Sequence, residues 1–210
     1  MICIIIFGDS ISFGKGEFPK SGWSGRLKNY FETEDKDIRN RIFNLGISGD
    51  NSNSLLNRIE SEINSRINRL FPNDRFVVMV AIGINDCIGI GSPNNLQTKL
   101  EFFETNIKEI IRKTKKYTDD IIFVGILPVN EKKTNPYDTN RYLLNKIINN
   151  YNEIIKKCAS QNDVFFIDVN KNFIVKKYDL LLYDGVHPNK KGYNLMYNII
   201  KEFIVKNIIK

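Results

Sequence analysis

Long apolar runs are missing from this chain. No segment approaches the roughly 18 consecutive apolar residues that a membrane-spanning helix requires, and the apolar start, residues 2–7, runs straight into Gly8-Asp9-Ser10. With no basic segment before it and no small-residue cleavage site after it, that start is not expected to be a secretory signal. Cysteine is scarce too. Cys3, Cys87 and Cys158 are an odd number without the spacing of a metal cluster, which excludes a disulfide framework and points to a reducing compartment, the cytoplasm. Histidine is rarer still: His187 is the only one, so a histidine-rich zinc site is excluded. Neither a metal nor a cofactor is expected. The net charge is +7, but the lysines are spread along the whole chain, and no nucleic-acid partner is expected. The densest basic run, Arg112-Lys113-Thr114-Lys115-Lys116, closes a predicted helix, where cations oppose the negative end of the helix dipole.

What remains is an ordinary globular chain. Its 210 residues, 42% of them apolar, suffice for one good core and fall short of two, so residues 1–210 are read as a single domain. Short β-rich runs at 2–7, 41–45, 76–82, 121–127 and 164–169 alternate with segments of helical period. Most of the runs are continuously apolar, as in strands buried on both faces. Trp23, Leu27 and Tyr30 mark one helix; Leu56, Ile59, Ile63, Ile67 and Leu70 a second; Leu96, Leu100, Phe103, Ile107 and Ile110 a third. Leu144, Ile148, Tyr151, Ile155 and Cys158 mark a fourth, and Met196, Ile200, Phe203 and Ile204 a last. Cys158 on such a stripe reads as a buried core thiol. The alternation predicts an α/β fold in three layers, α/β/α, around an open parallel sheet. Residues 128–140, with two prolines, read as a long loop. Together with residues 88–95 they are expected to border any site at the carboxyl ends of the strands.

Those carboxyl ends hold the informative residues. After the first strand comes Gly8-Asp9-Ser10-Ile11-Ser12-Phe13-Gly14; after the second, Gly46-Ile47-Ser48-Gly49-Asp50; after the third, Gly83-Ile84-Asn85-Asp86. Beyond the fifth comes Tyr183-Asp184-Gly185-Val186-His187-Pro188. Taken singly these are bland: a capped turn, a glycine bend, a polar loop. His187 changes the balance. Acyl transfer needs a base that titrates near neutrality, imidazole supplies one, and an Asp three residues earlier can reach back across a turn to hold Nδ1–H.

Spread from residue 8 to residue 188, these four blocks resemble the SGNH/GDSL hydrolase (GDSL-like lipase/acylhydrolase) family, and in its order. The resemblance implies a five-stranded parallel sheet of the flavodoxin-like SGNH hydrolase fold. It implies Ser10 as nucleophile, His187 as general base and Asp184 as the residue that orients it. Oxyanion donors would be the Ser10 and Gly49 backbone N–H groups and the Asn85 side-chain amide, with Gly46 the alternative to Gly49. The expected activity is that of a serine esterase or acylhydrolase on a small-molecule carboxylic ester of short-acyl, acetyl-sugar or lysolipid type. Phe13, Ile88, Ile90 and Tyr137 are candidates for an apolar pocket. An acyltransferase using the same serine is one alternative. A flavin- or nucleotide-binding module is another, although Gly8 to Gly16 departs from P-loop spacing and Asp9 would repel a phosphate.

Overall fold

The computed structural model of the chain describes every residue except Lys20, residues 35–38, Arg69, Pro72 and Lys210. The first half runs β1 (Ile2–Gly8), α1 (Ser10–Phe13), α2 (Gly22–Asn29), a π-helical turn (Tyr30–Glu34), β2 (Arg41–Gly46), α3 (Ser52–Ile67), β3 (Arg75–Ala81), β4 (Gly89–Ile90) and α4 (Leu100–Thr114). The second half runs β5 (Ile121–Val124), α5 (Glu131–Thr134), β6 (Arg141–Tyr142), α6 (Asn145–Gln161), β7 (Phe165–Ile167), α7 (Val169–Ile174), a 3-10 turn (Tyr178–Leu181) and α8 (Lys190–Asn207).

Five strands form one parallel sheet in the order β2-β1-β3-β5-β7. All seven residues of β1 are buried, because β2 and β3 flank it and helices cover both faces. Its Ile-rich composition suits that setting, since β-branched side chains pack well on a pleated surface. The chain steps from β1 to β2 in one direction, then crosses back over β1 to β3 and continues outward. With right-handed crossovers, that reversal puts α2 on one face and α3, α4 and α6 on the other. The packing agrees: α3 lies against α4, α4 against α6, and α8 returns to pack on α2. The expected three-layer α/β/α architecture is therefore observed. Phe103 of α4 and Tyr151 of α6, both fully buried, meet at a ring separation of 4.7 Å, and truncating the Phe in such a position costs about 3–5 kcal/mol. Cys158 is buried in this core, as its stripe suggested.

Several boundaries differ from the periodic pattern: Leu70 lies beyond α3, Leu144 just before α6, and at three others a polar side chain or loop takes over the backbone. β5 stops at Val124 and not at 127, because Asn152 of α6 bonds both the N–H (2.8 Å) and the C=O (2.9 Å) of Ile126 in place of a neighbouring strand. β7 ends at Ile167, where the Asp168 side chain accepts from Lys171 N–H at 2.9 Å and starts α7. Leu96 lies outside α4: Gln97 N–H and Thr98 N–H donate to Ile88 and Asp86 carbonyls, holding this stretch extended. The long loop at 128–140 contains the single turn α5, and residues 88–95 contain β4, which pairs antiparallel with β6. That two-stranded ribbon ties the two loops together above the sheet.

Candidate active site

β1 and β3 are neighbours whose onward connections leave in opposite directions, the place where an open α/β sheet leaves a crevice at its carboxyl edge. Ser10 follows β1 directly. Asp9 accepts a hydrogen bond from Ile11 N–H at 2.8 Å and so caps the single turn α1, fixing Ser10 as its first residue. The Ser10 hydroxyl, almost entirely buried, lies 2.8 Å from His187 Nε2. His187 Nδ1 lies 2.7 Å from Asp184 Oδ2. The three side chains expected to work together are thus brought into one hydrogen-bonded line across 177 positions of sequence.

The segment carrying His187 is a tight loop. Tyr183 N–H donates to the His187 carbonyl at 2.7 Å, and Leu182 bridges to Pro188. Within it, Asp184 Oδ1 accepts the backbone N–H groups of Val186 (3.0 Å) and His187 (2.8 Å). Burial alone would raise the Asp184 pKa, but the hydrogen bonds from the His187 side chain and backbone outweigh it and hold this carboxyl well below the usual carboxylate range. It stays ionised.

Asn85, in the turn after β3, lines the same cleft as Ser10, its side-chain amide donating to the Asp50 carbonyl at 2.7 Å. The two candidate glycines separate cleanly. Gly46 N–H already donates to Asn44 Oδ1 at 3.0 Å, and a Cβ there would stand 2.7 Å from Phe13 N, so this glycine serves the close approach of β2 to α1. Gly49 adopts φ +89°, lines the cleft with Ser10, Asn85 and His187, and its N–H has no acceptor among the described residues.

Two buried carboxylates that motif reading left without a task anchor this side. Asp86, fully buried, accepts from Ser52 N–H at 2.9 Å and from the Ser52 hydroxyl, pinning the start of α3; Asn106 in turn donates to that hydroxyl at 2.9 Å. Burial raises its pKa, with the Ser52 bonds opposing. Asp50 binds Arg58, whose guanidinium also donates to the Leu45 carbonyl at 2.9 Å. Asp86 and Asp50 stand in the quoted motifs, whereas Arg58 sits on the polar side of α3 and nothing in its spacing signals the pair. Burial, with Asp86 and Asp50 nearby, pushes the Asp9 carboxyl up to about 7.

The cleft over Ser10 encloses about 230 Å³. Ile84, Ile88, Leu143 and Val186 supply its apolar wall, with Lys15, Ser48 and Arg141 on its polar side. Of the four apolar candidates, Ile88 and Tyr137 line it. Phe13 is instead 43% exposed and Ile90 packs against the core.

Residues 6–195 match the model of the GDSL-like lipase/acylhydrolase family. The uncharacterized protein YpmR of Bacillus subtilis (strain 168) is 25% identical over 222 residues, covering 98% of this chain and 82% of that protein. Among solved structures, a lipase/acylhydrolase from Enterococcus faecalis superposes with a TM-score of 0.76 at 18% identity, over 97% of this chain and 95% of its own. Axe2, an acetylxylan esterase from Geobacillus stearothermophilus, gives 0.74 at 18% identity, over 96% and 93%. At such identities the superpositions speak for the fold. The family model speaks for descent: the chain belongs to the GDSL-like lipase/acylhydrolase family of ester hydrolases.

Proposed function

We propose that this protein is a serine esterase that forms an acyl-enzyme on Ser10. The observation that carries the reading is the unbroken line Ser10 Oγ, His187 Nε2, His187 Nδ1, Asp184 Oδ2, with links of 2.8 and 2.7 Å, at the mouth of a cleft. Ser10 Oγ attacks the ester carbonyl as His187 takes its proton, and Asp184 stabilises the imidazolium. His187 then protonates the leaving alcohol, and a water activated by the same imidazole releases the acid. Developing negative charge on the carbonyl oxygen is met by the N–H groups of Ser10 and Gly49 and by the Asn85 amide. One Asn85 hydrogen is held by Asp50 O, which aims the other without any reorganisation during the reaction.

The substrate we propose is a short-acyl ester, of acetyl type, carried on a polar alcohol. A cleft of about 230 Å³ is small beside ordinary ligand pockets of roughly 300–1,000 Å³. Its apolar wall takes a short acyl group, while Lys15, Ser48 and Arg141 face a hydroxyl-rich alcohol part. Similarity to an acetylxylan esterase structure is in keeping with this. Hydrolysis of p-nitrophenyl esters from acetyl to long acyl tests it: kcat/KM should be highest at two to four carbons, and a maximum at long chains contradicts the short-acyl assignment.

A further inference from the structure

The Asp184 carboxylate has a donor that the serine, histidine and acid do not account for. Tyr137, from the loop after β5 and 47 positions away, donates its hydroxyl to Asp184 Oδ2 at 3.1 Å. That is the same oxygen that holds His187 Nδ1 at 2.7 Å. Oδ1 is occupied by two backbone N–H groups, so the carboxylate is surrounded by four donors and has one orientation in which all four are met.

Tyr137 is itself firmly placed. Its N–H donates to the Arg141 carbonyl at 2.7 Å, and the Arg141 guanidinium lies 5.3 Å over its ring. Asp138 fixes that guanidinium at 2.6 Å and accepts the Asn140 and Arg141 N–H groups. Gly91 N–H bonds the Asn140 carbonyl at 2.8 Å, and β6 pairs with β4. The ribbon that joins the two substrate-side loops therefore ends on the triad carboxylate.

We propose that Tyr137 is a positioning residue for the reaction: its hydroxyl locks the Asp184 carboxylate and divides the charge of Oδ2 between two donors. The proposal rests on His187 being the base. A carboxylate oxygen shared with a second donor presents less charge to the imidazole than an unshared one, so the hydroxyl takes a share of the Oδ2 charge while keeping the His187 ring aimed at Ser10. Burial, then the Asp184 charge and hydrogen bond, push the phenol up to about 12, so it remains a donor throughout the working range. The charged and titratable groups around this pair are His187 beside Asp184, Arg141 and Asp138 beyond the ring, Tyr193 of α8, Lys15 across the cleft, and Lys133 of α5, whose stem packs over Gly185. Among them only the hydroxyl shares Oδ2 with the imidazole.

Because His187 is the only histidine, its titration can be followed by NMR without ambiguity and without substrate. In Tyr137→Phe the ring and its stacking on Arg141 are retained, and Tyr137→Leu removes them as well. Both variants should move the imidazole titration upward by about half a pH unit, a threefold change in proton affinity. The acid limb of kcat/KM should move with it, and plateau kcat should fall severalfold with KM for a small ester within about twofold. A residue that only packs or contacts substrate would leave the titration where it is. Loss of wild-type hydrolysis in Ser10→Ala reports separately on the esterase reading. An unmoved histidine titration in both variants of an otherwise active enzyme overturns the role of Tyr137 alone.

Discussion

The two sides of the cleft are built by different means. Ser10, Gly49 and Asn85 stand at the ends of three adjacent strands, and buried polar groups hold them from below: Asp9 capping α1, Asp86 pinning α3, Asp50 gripping Arg58. Asp184 and His187 stand on irregular chain between the 3-10 turn and α8, held by bonds within their own loop and by Tyr137 and the Asn130–Gly185 bond from another. One side is thus an extension of the core, the other a clasp of loops. Substitutions of the buried groups beneath the sheet side should reach global stability, whereas those of the residues that face the cleft, on either side, should be felt in turnover.

The largest effect expected is in turnover on the clasp. His187→Ala should lower kcat by about 10⁴-fold or more, the double variant with Ser10→Ala should be little worse, and unfolding free energies in urea should stay within about 1 kcal/mol of wild type. Additive losses in single-turnover kinetics would break the assignment of the two residues to one unit. Asn85→Ala comes next: losing one oxyanion donor should slow kcat by about 10²–10³-fold with little change in KM.

Beneath Asn85 the effect turns to stability. Asp86→Ala leaves Ser52 N–H without its buried acceptor and should cost about 2–4 kcal/mol in denaturant unfolding. A loss under 0.5 kcal/mol would show that the sheet side does not depend on this anchor. The smallest effect is pH-linked. A carboxyl raised to about 7 in the fold keeps more protons there than in the unfolded chain. Its stabilising share is complete below about pH 4 and is lost as pH climbs through about 7. Asp9→Asn keeps an acceptor for Ile11 N–H and should therefore raise Tm more at pH 8 than at pH 5. Parallel Tm curves for the two proteins would contradict a titrating Asp9.

The sequence makes the two sides unequally visible. Ser10, Asn85, Asp184 and His187 sit in contiguous motifs at strand ends or before a helix, and the family resemblance that those motifs carry together is what proposes them. The continuous apolar runs likewise reveal a sheet buried on both faces. What stays hidden depends on contacts between distant segments. Gly46 and Gly49 are equivalent on paper and are told apart only by the approach of α1 and the Asn44 side chain. Tyr137 reads as a pocket aromatic because its partner lies 47 positions away, and nothing in the motifs points to Arg58 as the partner of Asp50. The ends of β5 and β7 were obscured in the same way, by Asn152 and Asp168 bonding to backbone that apolar patterning assigned to strands.

The central claim is that a single serine, activated by His187, forms a covalent acyl intermediate. Intact-mass analysis after incubation with a fluorophosphonate, followed by peptide mapping, tests it without knowledge of the natural ester. One adduct per chain on Ser10, absent in Ser10→Ala and strongly slowed in His187→Ala, is the result predicted. Labelling at another residue, or none on the folded wild-type protein, would contradict the account.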